Sequence, residues 1–168
     1  MIINAKKFIQ SLIIFLLFNQ ANVAAQDLSK EELQLQKYIN TYSDEAIQLL
    51  EKIVNINSGT LNIKGNRKVG NIFKKELDKL NFKTYWVTYG KEVERAGHLF
   101  AEMRGGKGKK IILIGHLDTV FEKDHPFQTF KREGDKAYGP GVADMKSGDV
   151  SILYIMKALE SKFTFASK

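Results

Sequence analysis

The sequence predicts an α/β fold, a three-layer α/β/α sandwich in which helices cover both faces of a sheet. Three observations predict it: amphipathic helical patterns before residue 81, strand-like patterns between residues 82 and 114, and another helical pattern after residue 145. Residues 111–114 are apolar at every position, which is typical of a central strand that is covered on both faces. Helices on either side of such strands are the arrangement of an α/β sandwich.

Three helices are predicted in the first part of the chain. Apolar side chains at i, i+3, i+4 and i+7, the spacing of one helix face, predict a first helix over residues 30–41: Leu35, Tyr38, Ile39 and Tyr42. Ser43, followed by Asp44 and Glu45, is typical of a helix cap and first turn, and this second helix is expected to run to about Asn55. A third helix is expected to form its apolar face from Val69, Ile72, Phe73, Leu77 and Leu80.

Strands and a last helix are predicted farther along the chain. Residues 82–89 are aromatic and β-branched, and residues 98–104 partly alternate, so both are predicted to be strands. Residues 111–114 are the predicted central strand, and a long loop follows them. Residues 145–160 are expected to form a buried helix, because apolar positions cover more than one face. Long loops within compact domains are usually functional, which directs attention to the residues at its two ends.

The first 25 residues are predicted to be a secretory signal peptide. Lys6 and Lys7 form a basic start, residues 12–18 are an apolar run, and small residues precede an expected cleavage after Ala25. The alternative is a membrane anchor, which the short run disfavours, because a spanning helix needs about 20 apolar residues. We therefore expect a secreted or periplasmic protein with no stable membrane anchor after cleavage.

Cysteine usage and charge exclude several function classes. The chain has no cysteine, which excludes a disulfide framework and leaves only histidine and carboxylates for a site that suits zinc or a similar divalent ion. The net charge is +7, but the basic residues are scattered except for the group at 104–110. That group lies among glycines and is interpreted as a solvated turn between strands. A nucleic-acid or phosphate surface is disfavoured because no aromatic residues are interleaved with the charges.

A histidine and an aspartate follow the predicted central strand. Ligands of open α/β sheets bind beyond the carboxyl ends of the strands, which is where His116 lies. Strand side chains repeat every two residues, so Asp118 is expected to point the same way as His116. A carboxylate that holds one imidazole nitrogen leaves the other for a metal. A surface histidine beside a capping aspartate is the alternative interpretation.

The far end of the loop surrounds one carboxylate with glycines. Residues 139–148, Gly-Pro-Gly-Val-Ala-Asp-Met-Lys-Ser-Gly, contain three glycines, a proline and Asp144, a composition that suits a backbone held in an unusual path. Asp144 precedes the last predicted helix, where an anion is favoured. A simple N-cap explains the aspartate but not the glycines. Lys146 and Asp149 are expected to face solvent or to cap the helix.

These two segments together resemble the paired signature of a known enzyme family. Residues 115–120, Gly-His-Leu-Asp-Thr-Val, and residues 138–148 are similar to the signature of the co-catalytic di-zinc metallopeptidases, the family of bacterial glutamate carboxypeptidase, aminoacylase and succinyl-diaminopimelate desuccinylase. Residues 121–130, with His125-Pro126-Phe127, resemble the glutamate carboxypeptidase branch in particular. A weaker likeness extends back to Asn57-Ser58-Gly59 and forward to about Leu159.

The resemblance implies a site and a reaction. His116 would ligate one zinc ion, Asp144 would bridge two, and Asp118 would be the catalytic residue that orients His116 and steadies the metal-bound nucleophile. The implied reaction is hydrolysis of an amide next to a free carboxylate in a small peptide or N-acyl amino acid, of the carboxypeptidase or amidohydrolase type. The family also holds the peptide bond after the bridging aspartate in the cis form. Nucleic acid is not an expected partner.

The resemblance also implies that residues 26–168 are the N-terminal part of a catalytic domain. The family's adjacent Glu-Glu pair, which includes the general base, would lie beyond residue 168, and the lid and dimerisation domain are absent. The alternative function is therefore a truncated, inactive remnant that at most binds metal weakly. His125 is a candidate for substrate contact. His98 and Trp86 are expected to have structural roles, in hydrogen bonding and sheet packing.

Overall fold

The computed structural model describes residues 27–90, 93–104 and 108–163, so the predicted signal peptide at 1–25 lies outside the described residues. In these ranges the chain forms α1 (Lys30–Thr41), α2 (Ser43–Val54), α3 (Ile63–Lys79), β1 (Lys83–Val87), β2 (His98–Glu102), β3 (Lys131–Glu133), β4 (Lys136–Tyr138) and α4 (Ser147–Phe163). No helix in the described part of the chain combines the length and the apolar character that crossing a membrane requires.

The helix starts follow the local sequence. Ser29 and Glu32 form a reciprocal capping box at the start of α1, in which the Ser29 hydroxyl accepts from the Glu32 N–H and the Glu32 carboxylate accepts from the Ser29 N–H. Helix α2 begins at the predicted cap residue itself, with Tyr42 in the cap position. Ser43 is its first helical residue, and no side chain caps it. The helices predicted at 30–41 and from Ser43 to about Asn55 are thus confirmed, with this change at one cap.

The core lies between α2, α3 and α4. Its buried apolar side chains come from one face of each helix: Leu50, Ile53, Val54, Val69, Phe73, Val150, Leu153 and Tyr154. Burial of this surface is the main driving force for packing the three helices together. The apolar face predicted for the third helix thus contributes Val69 and Phe73 to this core.

Strands β1 and β2 form an antiparallel hairpin that packs on α3. Trp86 lies so close to α3 that a Cβ at Gly70 would be 2.5 Å from the Trp86 Cη2. The Trp86 Nε1–H donates to the Asn71 Oδ1 at 3.0 Å, and the Arg67 guanidinium lies 3.9 Å from the Trp86 ring centroid. The expected packing role of Trp86 is confirmed.

The prediction of a central strand at residues 111–114 is wrong for this structure. These four residues form no strand, and Ile111, Ile112, Leu113 and Ile114 are 82%, 81%, 52% and 82% exposed. A strand exists only where neighbours satisfy its backbone groups, and the described strands pair only within two separate two-stranded antiparallel sheets. The described residues are a mixed α/β arrangement, and they do not form a three-layer sandwich.

The loop after residue 115 contains one element that the sequence analysis missed. Strands β3 and β4 form a short antiparallel hairpin with Lys131 opposite Tyr138. The turn between them contains Gly134, whose φ of 61° is the left-handed conformation that glycine adopts without penalty. Gly134-Asp135 was the available turn signal.

Candidate metal centre

His116 and Asp144 lie side by side, although 28 residues separate them in sequence. The Nε2 of His116 is 2.8 Å from the Oδ1 of Asp144. His116 follows the exposed 111–114 segment, whereas Asp144 belongs to the turn Val142–Lys146 that precedes α4. The two residues that the resemblance assigns to one zinc centre are therefore close in space. Both retain solvent access, with 43% and 85% of their side chains exposed.

Asp118 holds the other side of the imidazole. The Nδ1 of His116 lies 3.0 Å from the main-chain oxygen of Asp118 and 3.3 Å from its carboxylate Oδ1. Both acceptors favour the tautomer whose Nδ1–H donates to Asp118. In that tautomer the lone pair of Nε2 is directed at the side of the ring where Asp144 lies, which is the orientation a metal-binding histidine needs.

The carboxylates around His116 change its affinity for protons. Burial acts to lower the pKa of His116, but the hydrogen bonds with Asp144 and with the Asp118 backbone outweigh it and raise the pKa above its ordinary value. The protonated ring therefore bonds to Asp144 and Asp118 together. A metal ion that took the place of the proton would meet the same imidazole nitrogen and carboxylate oxygen.

The turn that carries Asp144 is packed closely between α2 and residue 119. Gly139 has a φ of 150°, and a Cβ on it would lie 2.5 Å from the Val54 Cγ1; Gly141 has a φ of 81°, and a Cβ on it would lie 2.9 Å from the Thr119 Cγ2. The peptide bond from Asp144 to Met145 is cis, as the family resemblance implied. Close packing and positive φ angles thus explain the glycines at 139 and 141, which an N-cap role for Asp144 did not explain.

Lys146 anchors this turn to the core, and the prediction that it faces solvent or caps its helix is wrong. Its side chain is fully buried, and its Nζ donates to the main-chain oxygens of Ile53 at 2.9 Å and Ile56 at 3.1 Å. These carbonyls lie at the C-terminal end of α2, where a cation is favoured. Burial lowers the pKa of Lys146 to about 8.

Asp149 is largely buried behind the site rather than solvated. One carboxylate oxygen is buried without a hydrogen-bond partner, and the other occupies the space that a side chain at Gly115 would need. Burial raises the pKa of Asp149 to about 7. A side chain at residue 115, immediately before His116, would therefore displace the Asp149 carboxylate.

The remaining histidines make separate contacts. His98 bonds through its Nε2 to the Tyr89 hydroxyl, in agreement with its expected structural role. His125 accepts at Nδ1 from the Phe127 N–H at 3.1 Å, and its ring meets Phe121 edge-on. Substrate contact by His125 stays a prediction.

The donor set at His116 and Asp144 fits zinc. Imidazole nitrogen and carboxylate oxygen are common zinc donors, with bonds of about 2.0–2.2 Å, and here the two converge with nothing between them. Across residues 27–90, 93–104 and 108–163, no group of three or more histidine or acidic side chains is placed to hold a metal. Within these residues, His116 and Asp144 are a pair of candidate zinc donors, with Asp118 behind the imidazole.

Comparison with known proteins gives a consistent picture. Residues 112–166 match Peptidase family M20/M25/M40. Carboxypeptidase G2 of a Pseudomonas species is 39% identical over 117 residues, which is 68% of this chain and 28% of that protein. A putative succinyl-diaminopimelate desuccinylase of Mycobacterium tuberculosis is 37% identical over 71 residues, which is 42% of this chain and 20% of that protein. An uncharacterized metallohydrolase of Methanocaldococcus jannaschii is 28% identical over 132 residues, which is 69% of this chain and 32% of that protein.

The chain spans less than a third of the length of each of these relatives. The matched segment nevertheless contains all three site residues and the turn between Gly139 and Gly148. The predicted family is confirmed: through the segment that carries His116, Asp118 and Asp144, this chain is identified as a member of Peptidase family M20/M25/M40.

Proposed function

We propose that this chain supplies metal ligands for zinc-dependent hydrolysis of an amide or peptide bond next to a free carboxylate. The observation that carries the proposal is the 2.8 Å approach of the His116 Nε2 to the Asp144 Oδ1. Both atoms are good zinc donors, both side chains are open to solvent, and the imidazole is held from behind by Asp118.

Each of the three residues has a separate role in the proposal. His116 would hold zinc as the neutral imidazole through its Nε2, while its Nδ1–H donates to Asp118. Asp144 would hold zinc through its carboxylate and, as the family resemblance implies, would be shared by two ions. Asp118 fixes the imidazole and, again by resemblance, steadies the nucleophile. When bound, zinc would polarise the scissile carbonyl and lower the pKa of a bound water.

The substrate class is proposed from the relatives. One is named as a carboxypeptidase and another as a putative succinyl-diaminopimelate desuccinylase, so both names describe cleavage at an acyl–nitrogen bond. We propose a small peptide or N-acyl amino acid. The basic start and apolar run of residues 1–25 support export to a secreted or periplasmic location. We also propose that in a longer protein these elements belong to an α/β/α sandwich.

Zinc titration of the full chain tests the site. We expect wild type to bind zinc, weakly because two protein ligands are fewer than a complete site provides, as measured by competition with a chromophoric chelator. His116→Ala and Asp144→Ala should each abolish that binding. His98→Ala is the matched control, because it removes a histidine that bonds to Tyr89 instead, and it should bind zinc like wild type.

Two outcomes would overturn the proposal. If the wild-type chain binds no zinc, the proposed metal site is refuted. A His98→Ala variant that loses as much affinity as His116→Ala would show that zinc binds elsewhere or without selectivity.

A further inference from the structure

A residue outside the family signature contacts the site directly through its side chain. We propose that Thr60 is a positioning residue that fixes the Asp118 carboxylate against His116. The expected effect on metal binding rests on the proposed function. The positioning role itself concerns only the contacts among Thr60, Asp118 and His116.

The two oxygens of the Asp118 carboxylate have different partners, one the Thr60 hydroxyl and the other the His116 imidazole. The Thr60 Oγ1 donates to the Asp118 Oδ2 at 2.6 Å, a length typical of a charge-assisted O–H···O⁻ bond. The other oxygen, Oδ1, lies 3.3 Å from the His116 Nδ1. A second acceptor, the main-chain oxygen of Thr119, is farther from the hydroxyl at 3.3 Å. The single hydroxyl proton is therefore directed mainly at Asp118.

The segment that carries Thr60 is itself held to the site backbone. Gly59 and Thr119 form a parallel bridge, in which the Thr119 N–H donates to the Ser58 carbonyl at 2.9 Å and the Thr60 N–H donates to the Thr119 carbonyl at 3.1 Å. Ser58 and Thr119 are buried. The hydroxyl of Thr60 is consequently presented to Asp118 from a fixed backbone rather than from a free loop.

A glycine permits this close approach. A Cβ on Gly59 would lie 2.8 Å from the Glu122 Cα, so any other residue would push the two segments apart. On the other side of Thr60, the Leu61 N–H donates to the Glu122 Oε1 at 2.9 Å. Residues 58–61 and 118–122 are thus joined on both sides of Thr60.

The consequence for metal binding follows from the orientation of the imidazole. The Asp118 side chain is 37% exposed, so without the hydroxyl its carboxylate could rotate toward water and leave the ring held only by the main-chain oxygen. Loss of an outer partner of a metal-binding histidine typically reduces metal affinity by about 10–100-fold. Because Thr60 acts through Asp118 and the main-chain contact remains, we expect the lower end, about tenfold.

Three variants of the full chain separate positioning from general stability. Thr60→Val removes the hydroxyl and keeps the shape of the side chain, whereas Thr60→Ser keeps the hydroxyl. Thr84→Val is the control, because it removes a comparable hydroxyl–carboxylate bond elsewhere in the chain, to Asp78. Zinc affinity is measured by chelator competition, and the Asp118 carboxylate is observed in the metal-free chain by its ¹³Cγ chemical shift at pH 7.

We expect Thr60→Val to weaken zinc binding about tenfold and to move the Asp118 ¹³Cγ shift, while Thr60→Ser and Thr84→Val match wild type in both measurements. An unchanged ¹³Cγ shift in Thr60→Val would overturn the proposal, as would a Thr60→Ser variant that behaves like Thr60→Val. If wild type binds no zinc, the proposed function fails, and the metal-free shift alone then decides the role of Thr60.

Discussion

Ile53 of α2 and Ile112 of the predicted central strand should differ strongly in their contribution to stability. Ile53 is fully buried between the helices, whereas Ile112 is 81% exposed. Truncation of a buried isoleucine to alanine costs about 2–5 kcal/mol, since it combines lost burial with a cavity. Ile112 buries about one fifth of its surface, and full burial of such a side chain contributes about 1.5–3 kcal/mol, so Ile112→Ala should cost about 0.5 kcal/mol or less.

Urea unfolding of the full chain, followed by far-UV circular dichroism, measures both substitutions. A slope of about 2 kcal/mol per M urea converts the expected loss in Ile53→Ala into a midpoint lower by about 1 M or more. The Ile112→Ala midpoint should fall by about 0.3 M or less. Equal losses for the two variants would refute the packing described above. Each variant is measured at two protein concentrations, so that burial of residues 111–114 between copies would be recognised by its concentration dependence.

Two pH-dependent predictions follow from other contacts. Lys157 bonds to Glu76 at 2.9 Å and to Glu45 at 3.3 Å; burial acts to raise the pKa of Glu76, but the bonds from Lys79 and Lys157 outweigh it and lower that pKa. A carboxylate with a lowered pKa stabilises the fold above its unfolded pKa of about 4.3 and loses that contribution as the pH falls. Lys157→Met should therefore reduce the free energy of unfolding by about 1–2 kcal/mol at pH 7 and by less at pH 3, as measured by thermal unfolding. Equal losses at both pH values would exclude the ion pairs. Zinc must displace the proton of His116, whose pKa is raised. Zinc affinity should therefore be constant above that pKa and fall about tenfold per pH unit below it. An affinity independent of pH from 5 to 8 would contradict ligation by His116.

Local patterns were sufficient to predict most of the regular elements. Helix α1 is favoured by a capping box and an apolar spacing that lie within the helix and the residues next to it. The β1–β2 hairpin follows from aromatic and β-branched content in two adjacent segments. The site pair was predictable for another reason: His116 and Asp144 each lie in a short segment of unusual composition, and the family signature joins the two.

Long-range partners explain what could not be predicted. An apolar run at 111–114 indicates a buried strand only if neighbouring strands exist to pair with it, and its composition carries no information about them. The burial of Lys146 depends on carbonyls that are 93 and 90 residues away in sequence. A lysine in a polar loop segment is ordinarily solvated, so its local sequence gave no signal for this role.

The Asp144 side of the site is supported by the end of α2 rather than by a sheet. Lys146 donates to two carbonyls there, and the close contact between Gly139 and Val54 seats the start of the same turn. Because these contacts are made with Val54 and with carbonyls at the end of α2, the turn is held on each side of Asp144. Its carboxylate can then project into solvent while its backbone stays in place.

The His116 side is supported by the residues that follow α2. The bridge between Gly59 and Thr119 fixes the backbone three residues beyond His116, and Thr60 holds the carboxylate behind the ring. Helix α2 and its extension to residue 60 therefore contact both halves of the site, one through Lys146 and the other through Thr119. This common support explains how His116 and Asp144 can meet at 2.8 Å although the segment immediately before His116 pairs with no described strand.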